Sequence, residues 1–241
     1  MDLPVAPLSP RLAALADAIE PGSRVADVGS DHGMLPLWLA ASGRAAFCLA
    51  TEKTEALLQQ VARPPEGSPW ADLLVYRAGD GLEALRPEDR IDTIVLAGMG
   101  GRTIVRLLDS PQLRSPTFVR LVLQPRTEFA RTRLHLSERG FRPVAEKLTS
   151  ERGRLHLTLA AERGDDADLY DGGTLSRDDL LTAGPLLARS GSPEHATFWR
   201  LERDRLAGMV ARPRSGPSFA RAVAGLARAE RILGAISTPG G

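Results

Sequence analysis

Residues 24–33, Arg24-Val25-Ala26-Asp27-Val28-Gly29-Ser30-Asp31-His32-Gly33, read as a buried strand that runs straight into a glycine turn. Upstream, Ser9-Pro10 followed by Arg11 to Ile19 supplies an N-cap, a proline at the first helical position and leucines at helical spacing, and Pro21-Gly22 ends that helix. Downstream the alternation continues. A helix near Leu35–Ala41 leads to a strand at Ala45–Ala50, and a helix near Thr54–Ala62 to a loop from Pro64 to Pro69 and a strand at Leu73–Tyr76. Strand Thr93–Ala97, helix Thr103–Leu108, strand Val119–Leu123 and helix Glu128–Glu138 follow, with Gly140 a natural C′ residue. The period is that of a parallel α/β sheet.

Beyond Gly140 the pattern changes. Phe141–Thr149 and Arg154–Ala160 are extended runs joined only by Ser150-Glu151-Arg152-Gly153, too short for a helical crossover, so they must form an antiparallel hairpin. Five βα units closed by a β-hairpin give the order of the Rossmann-like class I methyltransferase sheet, whereas a dinucleotide-binding domain keeps its strands parallel. The acidic, glycine-containing stretch Gly164–Gly173 marks a boundary, so residues 1–163 form the α/β domain and 164–241 a linker and helical domain. There Phe219, Val223, Leu226, Ala229, Leu233 and Ile236 make a near-heptad seam, and Phe198, Leu201 and Met209 a looser one. The turn Arg212–Pro217 should fold the two into an antiparallel coiled-coil hairpin, and Pro239-Gly240-Gly241 should fray.

The composition, 43% hydrophobic and 25% charged with a formal net charge of +1 over 241 residues, is that of a soluble globular protein and selects no partner. The one cysteine, Cys48, lies in an apolar strand and reads as core, which removes a disulfide framework and a Cys-rich metal site. The amino terminus lacks a basic segment followed by an apolar one, and no run approaches the ~20 apolar residues that span a bilayer, so the expected location is the cytoplasm. His135, His156 and His195 are scattered without ligand spacing, and no metal is expected.

Asp27-x-Gly29-x-Asp31-x-Gly33 ends the first strand, where a parallel sheet binds its ligand. Glycine lets a cofactor lie on bare backbone, and Asp27 can orient the turn or meet the ammonium group of a methionine moiety. The G-x-G-x-x-G dinucleotide fingerprint is absent here, which disfavours a nicotinamide oxidoreductase. Glu52, 23 positions after Gly29, can accept both hydroxyls of a ribose, or simply face solvent. Asp80, beside Gly81, can accept from an adenine amino group or close an Asx turn. Ala97-Gly98-Met99-Gly100-Gly101 would form the second wall, with the methionine moiety between the loops. The cofactor set is therefore Asp27, Gly29, Ser30, Gly33, Glu52, Asp80, Gly81, Ala97, Gly98 and Met99.

Asp31 takes a loop position where methyltransferases commonly keep glycine. A carboxylate there can bond to the exocyclic amine of an acceptor, take its proton, or cap the next helix. His32 reads as a second polar group at the mouth or as a structural residue, Gln124 as a contact to acceptor or cofactor, and Arg126 as a phosphate contact. Between residues 194 and 241 eight arginines face four acids, a surface that suits a polyanion or a solvated coiled coil.

Val25 to Pro36, Ile91 to Gly101 and Leu121 to Pro125 resemble the signature segments of the bacterial tRNA (adenine-N1)-methyltransferases that modify position 22. The resemblance spans roughly residues 8–160 and continues more weakly through Ala183-Gly184-Pro185-Leu186-Leu187 into the coiled coil. It implies S-adenosylmethionine as donor, tRNA as acceptor, and Asp31 as the residue acting on adenine. Met34 stands where family members often have an aromatic residue, and Arg126 where they often have asparagine. The rival reading is a tRNA- or protein-binding module that holds the cofactor without catalysis. A monomer, or a weak dimer through the C-terminal helices, is the expected assembly.

Overall fold

The expected strands are present as β1 (Ser23–Val28), β2 (Ala45–Glu52), β3 (Leu74–Ala78), β4 (Thr93–Ala97) and β5 (Arg120–Gln124), and the hairpin as β6 (Phe141–Glu151) and β7 (Arg154–Arg163). Among the described residues they form one seven-stranded sheet in the order β3-β2-β1-β4-β5-β7-β6. Neighbours among β1 to β5 pair in parallel, whereas β7 runs antiparallel to both β5 and β6. The computed structural model describes residues 5–114, 118–171, 173–212 and 215–237. Two compact units divide the chain, Met1–Gly164 and Asp165–Gly241.

The sheet is covered on both faces, and its strands alternate accordingly. Val25, Cys48, Ala50, Val95 and Val122 pack with α1 (Pro10–Asp17), α2 (Met34–Ala41) and α3 (Glu55–Leu58). Ala26, Leu49, Ile94, Leu96, Leu121 and Leu123 pack with α4 (Gly101–Leu108) and α5 (Phe129–Glu138). Cys48 is fully buried, and that burial pushes its thiol up to about 12, as befits a core residue. The hairpin closes through Arg152 (φ 49) and Gly153 (φ 73), two successive left-handed residues that match the twist of the strands they join.

One helix is shorter than its sequence suggests. α3 stops at Leu58 rather than reaching Ala62, because Ala62 N–H donates to His32 O at 3.0 Å and Val61 packs beside Gly33. A tertiary bond to the first glycine loop replaces the next helical turn.

In the second unit, α6 (Ala167–Tyr170), α7 (Arg177–Ala183) and α8 (Pro185–Arg189) precede the long helices α9 (Pro193–Val210) and α10 (Pro217–Ser237). The expected seams are met in part: Ala229 is buried, and Leu226, Leu233, Ile236 and Phe198 pack against the same cluster. Ala222, Ala229 and Ile232 are the buried positions of α10 and Val223 is exposed, while on α9 His195, Trp199 and Leu206 are buried and Leu201 and Met209 exposed. Small residues decide this: a Cβ on Gly225 would sit 3.3 Å from Leu206 Cδ1, so the helices meet where α10 is thinnest. Of the expected turn, Pro213 and Arg214 lie outside the described residues, as does Pro239-Gly240-Gly241. The basic excess of residues 194–241 is offset within the same unit, since over 165–241 ten arginines face ten acids. Asp179 takes both Arg228 (3.2 Å) and Arg231 (2.9 Å), and Glu202 and Asp204 pair with Arg205 and Arg203.

Candidate functional site

The strand order reverses between β1 and β4, which leaves a crevice beyond their carboxyl ends. Two glycine loops wall it. In the first, Gly29 and Ser30 N–H groups both donate to Thr51 O at 3.0 Å, Ser30 Oγ donates to Asp27 O at 2.8 Å, and Gly33 N–H to Ser30 O at 2.8 Å. Gly33 has φ 69, and a side chain there would run into Val61. In the second, Gly98 N–H donates to Gln124 O at 3.1 Å and Arg126 N–H to Met99 O at 2.8 Å, so the β4 and β5 loops are tied together. The walls touch: a Cβ on Gly29 would lie 2.8 Å from Met99 Cε.

A cavity of about 490 Å³ occupies this crevice. Its lining brings together Asp27, Gly29, Ser30, Asp31, His32, Gly33, Ala97, Gly98, Met99, Gln124 and Arg126, all expected from sequence. Glu52, Asp80 and Gly81 are not among its lining residues. Glu52 is nevertheless coupled to it, because its Oε1 accepts from Asp31 N–H at 2.6 Å.

Asp27 is only 5% exposed, and its carboxyl is raised from the ordinary value to about 7. Burial is the main cause, opposed by a hydrogen bond from Ser30, reinforced by the charge of Glu52 and opposed by that of Arg11. A cationic ligand beside it would hold it ionised. Asp31 sits at the mouth with its side chain 83% exposed, in a left-handed conformation (φ 54) that aspartate tolerates better than most residues. It does not cap α2, whose N-cap is Gly33 with no side-chain bond. His32 is equally open, with Nε2 4.0 Å from Asp31 Oδ2.

Two of the expected residues are engaged within the protein. Gln124 is 2% exposed, and its amide is engaged within the protein: Oε1 accepts from Arg11 Nη1 at 3.0 Å, and Nε2 donates to Arg11 O (3.2 Å) and Thr158 Oγ1 (3.1 Å). Its amide thus orients Arg11 at the edge of the cavity that Gln124 also lines. Asp80 neither closes an Asx turn nor joins the cavity. It pairs with Lys53 Nζ at 2.9 Å, and that hydrogen bond holds its carboxyl below the usual range.

The sequence reading missed Arg11, Arg154 and His156, which line the same cavity. Arg11 reads only as the start of a helix and His156 only as an inward or outward strand position. Their convergence depends on α1 packing across β6 and β7 and on the antiparallel return of β7, which brings its first residues to the carboxyl edge of β5. The crevice is thereby polarised along the sheet. Of its lining carboxylates, Asp27 lies in β1 and Asp31 in the loop after it, while Arg126 follows β5 and Arg154 opens β7. Such a cleft can seat a cationic group at one end and an anionic one at the other.

The family described as "Methyltransferase domain" matches residues 8–159. A tRNA (adenine(22)-N(1))-methyltransferase of Bacillus subtilis (strain 168) is 33% identical over 195 residues, 81% of each chain. The crystal structure of the B. subtilis m1A22 tRNA methyltransferase TrmK superposes with a TM-score of 0.81 at 28% identity, covering 95% of this chain and 99% of that one. A Streptococcus pneumoniae protein solved in complex with S-adenosyl-L-methionine gives 0.81 at 28% identity, covering 94% and 100%.

Proposed function

This chain belongs to the family of tRNA (adenine(22)-N1)-methyltransferases, and from that premise we infer that it methylates N1 of an adenine in tRNA with S-adenosylmethionine as donor. The observation that carries the reading is the polarised crevice at the β1/β4 switch point, with a buried carboxyl that needs a cation at its base and a second carboxylate at its mouth. The residues present fit the donor. Gly29, Gly33 and Gly98 expose bare backbone, and Asp27 suits the ammonium of a methionine moiety. Glu52 has one carboxylate oxygen on Asp31 N–H, and we assign the other to a ribose hydroxyl.

When bound, S-adenosylmethionine supplies an electrophilic methyl group on a sulfonium sulfur. The chain's own task is alignment and charge. Adenine N1 must offer its lone pair in line, and the residues that line the crevice hold it for that. As the N1–C bond forms and the S–C bond breaks, positive charge passes to the adenine ring. Asp31 then accepts a hydrogen bond from the exocyclic amine and stabilises that charge. Its backbone is held for this by Glu52, so one carboxylate positions the other. His32 and Arg126, both at the mouth, are assigned to the acceptor side. A base paired within tRNA must first leave its stack to reach the cleft.

Among the described residues no helix is long and apolar enough to cross a membrane. We place the protein in the cytoplasm with its tRNA substrate. The 165–241 unit is read as an arm that touches the tRNA body, and a monomer or weak dimer through α9 and α10 accords with the exposed Leu201, Met209 and Val223. The test is methyl transfer from labelled donor to unmodified tRNA, with the product nucleotide mapped by mass spectrometry. A wild-type protein that binds both ligands and transfers nothing overturns the enzyme reading in favour of a binding module.

A further inference from the structure

We propose that Arg11, Arg126 and Arg154, gathered around His156 at the β5–β7 end of the crevice, clamp a backbone phosphate of the RNA next to the target adenosine and so position the base against Asp31. This rests on the reading of the chain as a tRNA methyltransferase.

Three separate elements deliver these side chains. Arg11 comes from the first turn of α1, Arg126 from the loop after β5, and Arg154 and His156 from the opening of β7. Several arginines elsewhere are matched to carboxylates, as in Arg77 with Asp89 at 2.6 Å and Arg120 with Glu20 and Glu162, and others are spent on backbone carbonyls, as Arg44 is on Ala16 and Ile19. These three have no carboxylate partner among the described residues. Glu151, which faces Arg154 across the hairpin, accepts from the Arg11 backbone N–H at 2.9 Å, and that bond, with one from Ser9, holds its carboxyl below the usual range. Arg11 is oriented by the neutral amide of Gln124, a partner that fixes the guanidinium without cancelling its charge.

The fields of the three overlap at His156. Burial lowers its pKa first, and Arg11, Arg154 and Arg126 each lower it further against the single opposing charge of Glu151. A site that disfavours one more cation so broadly favours an anion. Guanidinium forks match the paired oxygens of a phosphodiester, and Arg126 and Arg154 are exposed while Arg11 is half-buried, so the site opens outward where an RNA chain would pass. Because Asp31 follows β1, which β4 alone separates from β5, a phosphate held here leaves its base to reach across β4 toward Asp31.

The test compares the full chain with Arg126→Gln, Arg154→Gln, the double variant and Arg154→Lys. Unmodified tRNA transcript is the probe from about 50 to about 200 mM salt, read by filter binding and by methyl-transfer kinetics. Each glutamine is expected to raise the tRNA KM about tenfold with a smaller fall in kcat, and to flatten the slope of log affinity against log salt by about 0.7–0.9. Arg154→Lys should recover most of the slope, and the calorimetric Kd for S-adenosylmethionine should stay within about twofold. An unchanged salt slope overturns the clamp. If the cofactor Kd weakens instead, the cluster holds the carboxylate of the methionine moiety, and if nothing changes it is solvated surface. Failure of the parent reading is seen separately, as wild type that transfers no methyl, and the salt slope of binding is still measurable there.

Discussion

Replacing Asp27 by Asn should make the unliganded protein more stable while removing its grip on the donor. The Asp27 carboxyl stands at about 7 against an ordinary value of 3.8, chiefly because it is buried. At about 1.4 kcal/mol per pH unit, holding it ionised in the folded state costs about 4 kcal/mol. The sign follows from proton counting: between roughly pH 4 and 7 the folded protein binds more protons here than the unfolded chain, so stability falls as pH rises and levels off above 7. Asparagine is neutral throughout. The variant and wild type should therefore coincide near pH 4 and diverge to about 4 kcal/mol by pH 8, or roughly 8–16 °C in the midpoint of the unit that carries the site. Thermal and urea unfolding followed by circular dichroism at several pH values measures the gap. Calorimetry supplies the second half: wild-type affinity for S-adenosylmethionine should climb from pH 5 to 7, as a bound cation pulls the Asp27 pKa back down, and the variant should show neither the climb nor tight binding. A gap that is constant across pH would refute the reasoning, because Asp27 would then be ionised without a ligand.

Asp31→Asn keeps the left-handed turn, so cofactor Kd should be unchanged while single-turnover methyl transfer slows about 100-fold or more; an equal loss of cofactor affinity would move Asp31 to the donor side. Gly33→Ala places a Cβ at φ 69 against Val61 and should cost at least about 2 kcal/mol in urea titration, with a loss well below 1 kcal/mol arguing against that packing. Gln124→Ala should cost about 1–3 kcal/mol by stranding Thr158 and the Arg11 carbonyl, and should weaken tRNA binding more than donor binding when both are titrated. In the second unit, burial works against the Asp179 carboxylate, yet hydrogen bonds from Arg231 and Ser176 hold its pKa below the usual value. Its stabilising contribution is present above the ordinary aspartate pKa and lost as pH falls through the lower folded one, so Asp179→Asn should flatten the acid limb of α9–α10 unfolding followed by Trp199 fluorescence.

The α/β frame was legible because its signals are local. Val25 to Val28, Leu121 to Leu123 and the glycines that follow β1 and β4 fix strand, turn and helix from neighbours in the chain, and the short link at Ser150–Gly153 forces a hairpin whatever the rest does. Those features placed the first carboxylates and both glycine loops in the cavity. Helix faces were less legible. Ala229 falls inward as its spacing suggests and Val223 does not, because Ala222 and Gly225 allow a closer approach, and close packing outweighs side-chain size at that position.

By itself, the sequence determined the order of elements, the glycine loops and the acids at their ends, because each follows from residues a few positions apart. Tertiary structure alone decided three things. Gln124 turns inward to hold Arg11, and Asp80 goes to Lys53. Arg11 and Arg154, 143 positions apart, meet at one rim. Charge acts through space, and only a folded sheet with an antiparallel last pair brings the opening of β7 to the same cavity as the end of β1.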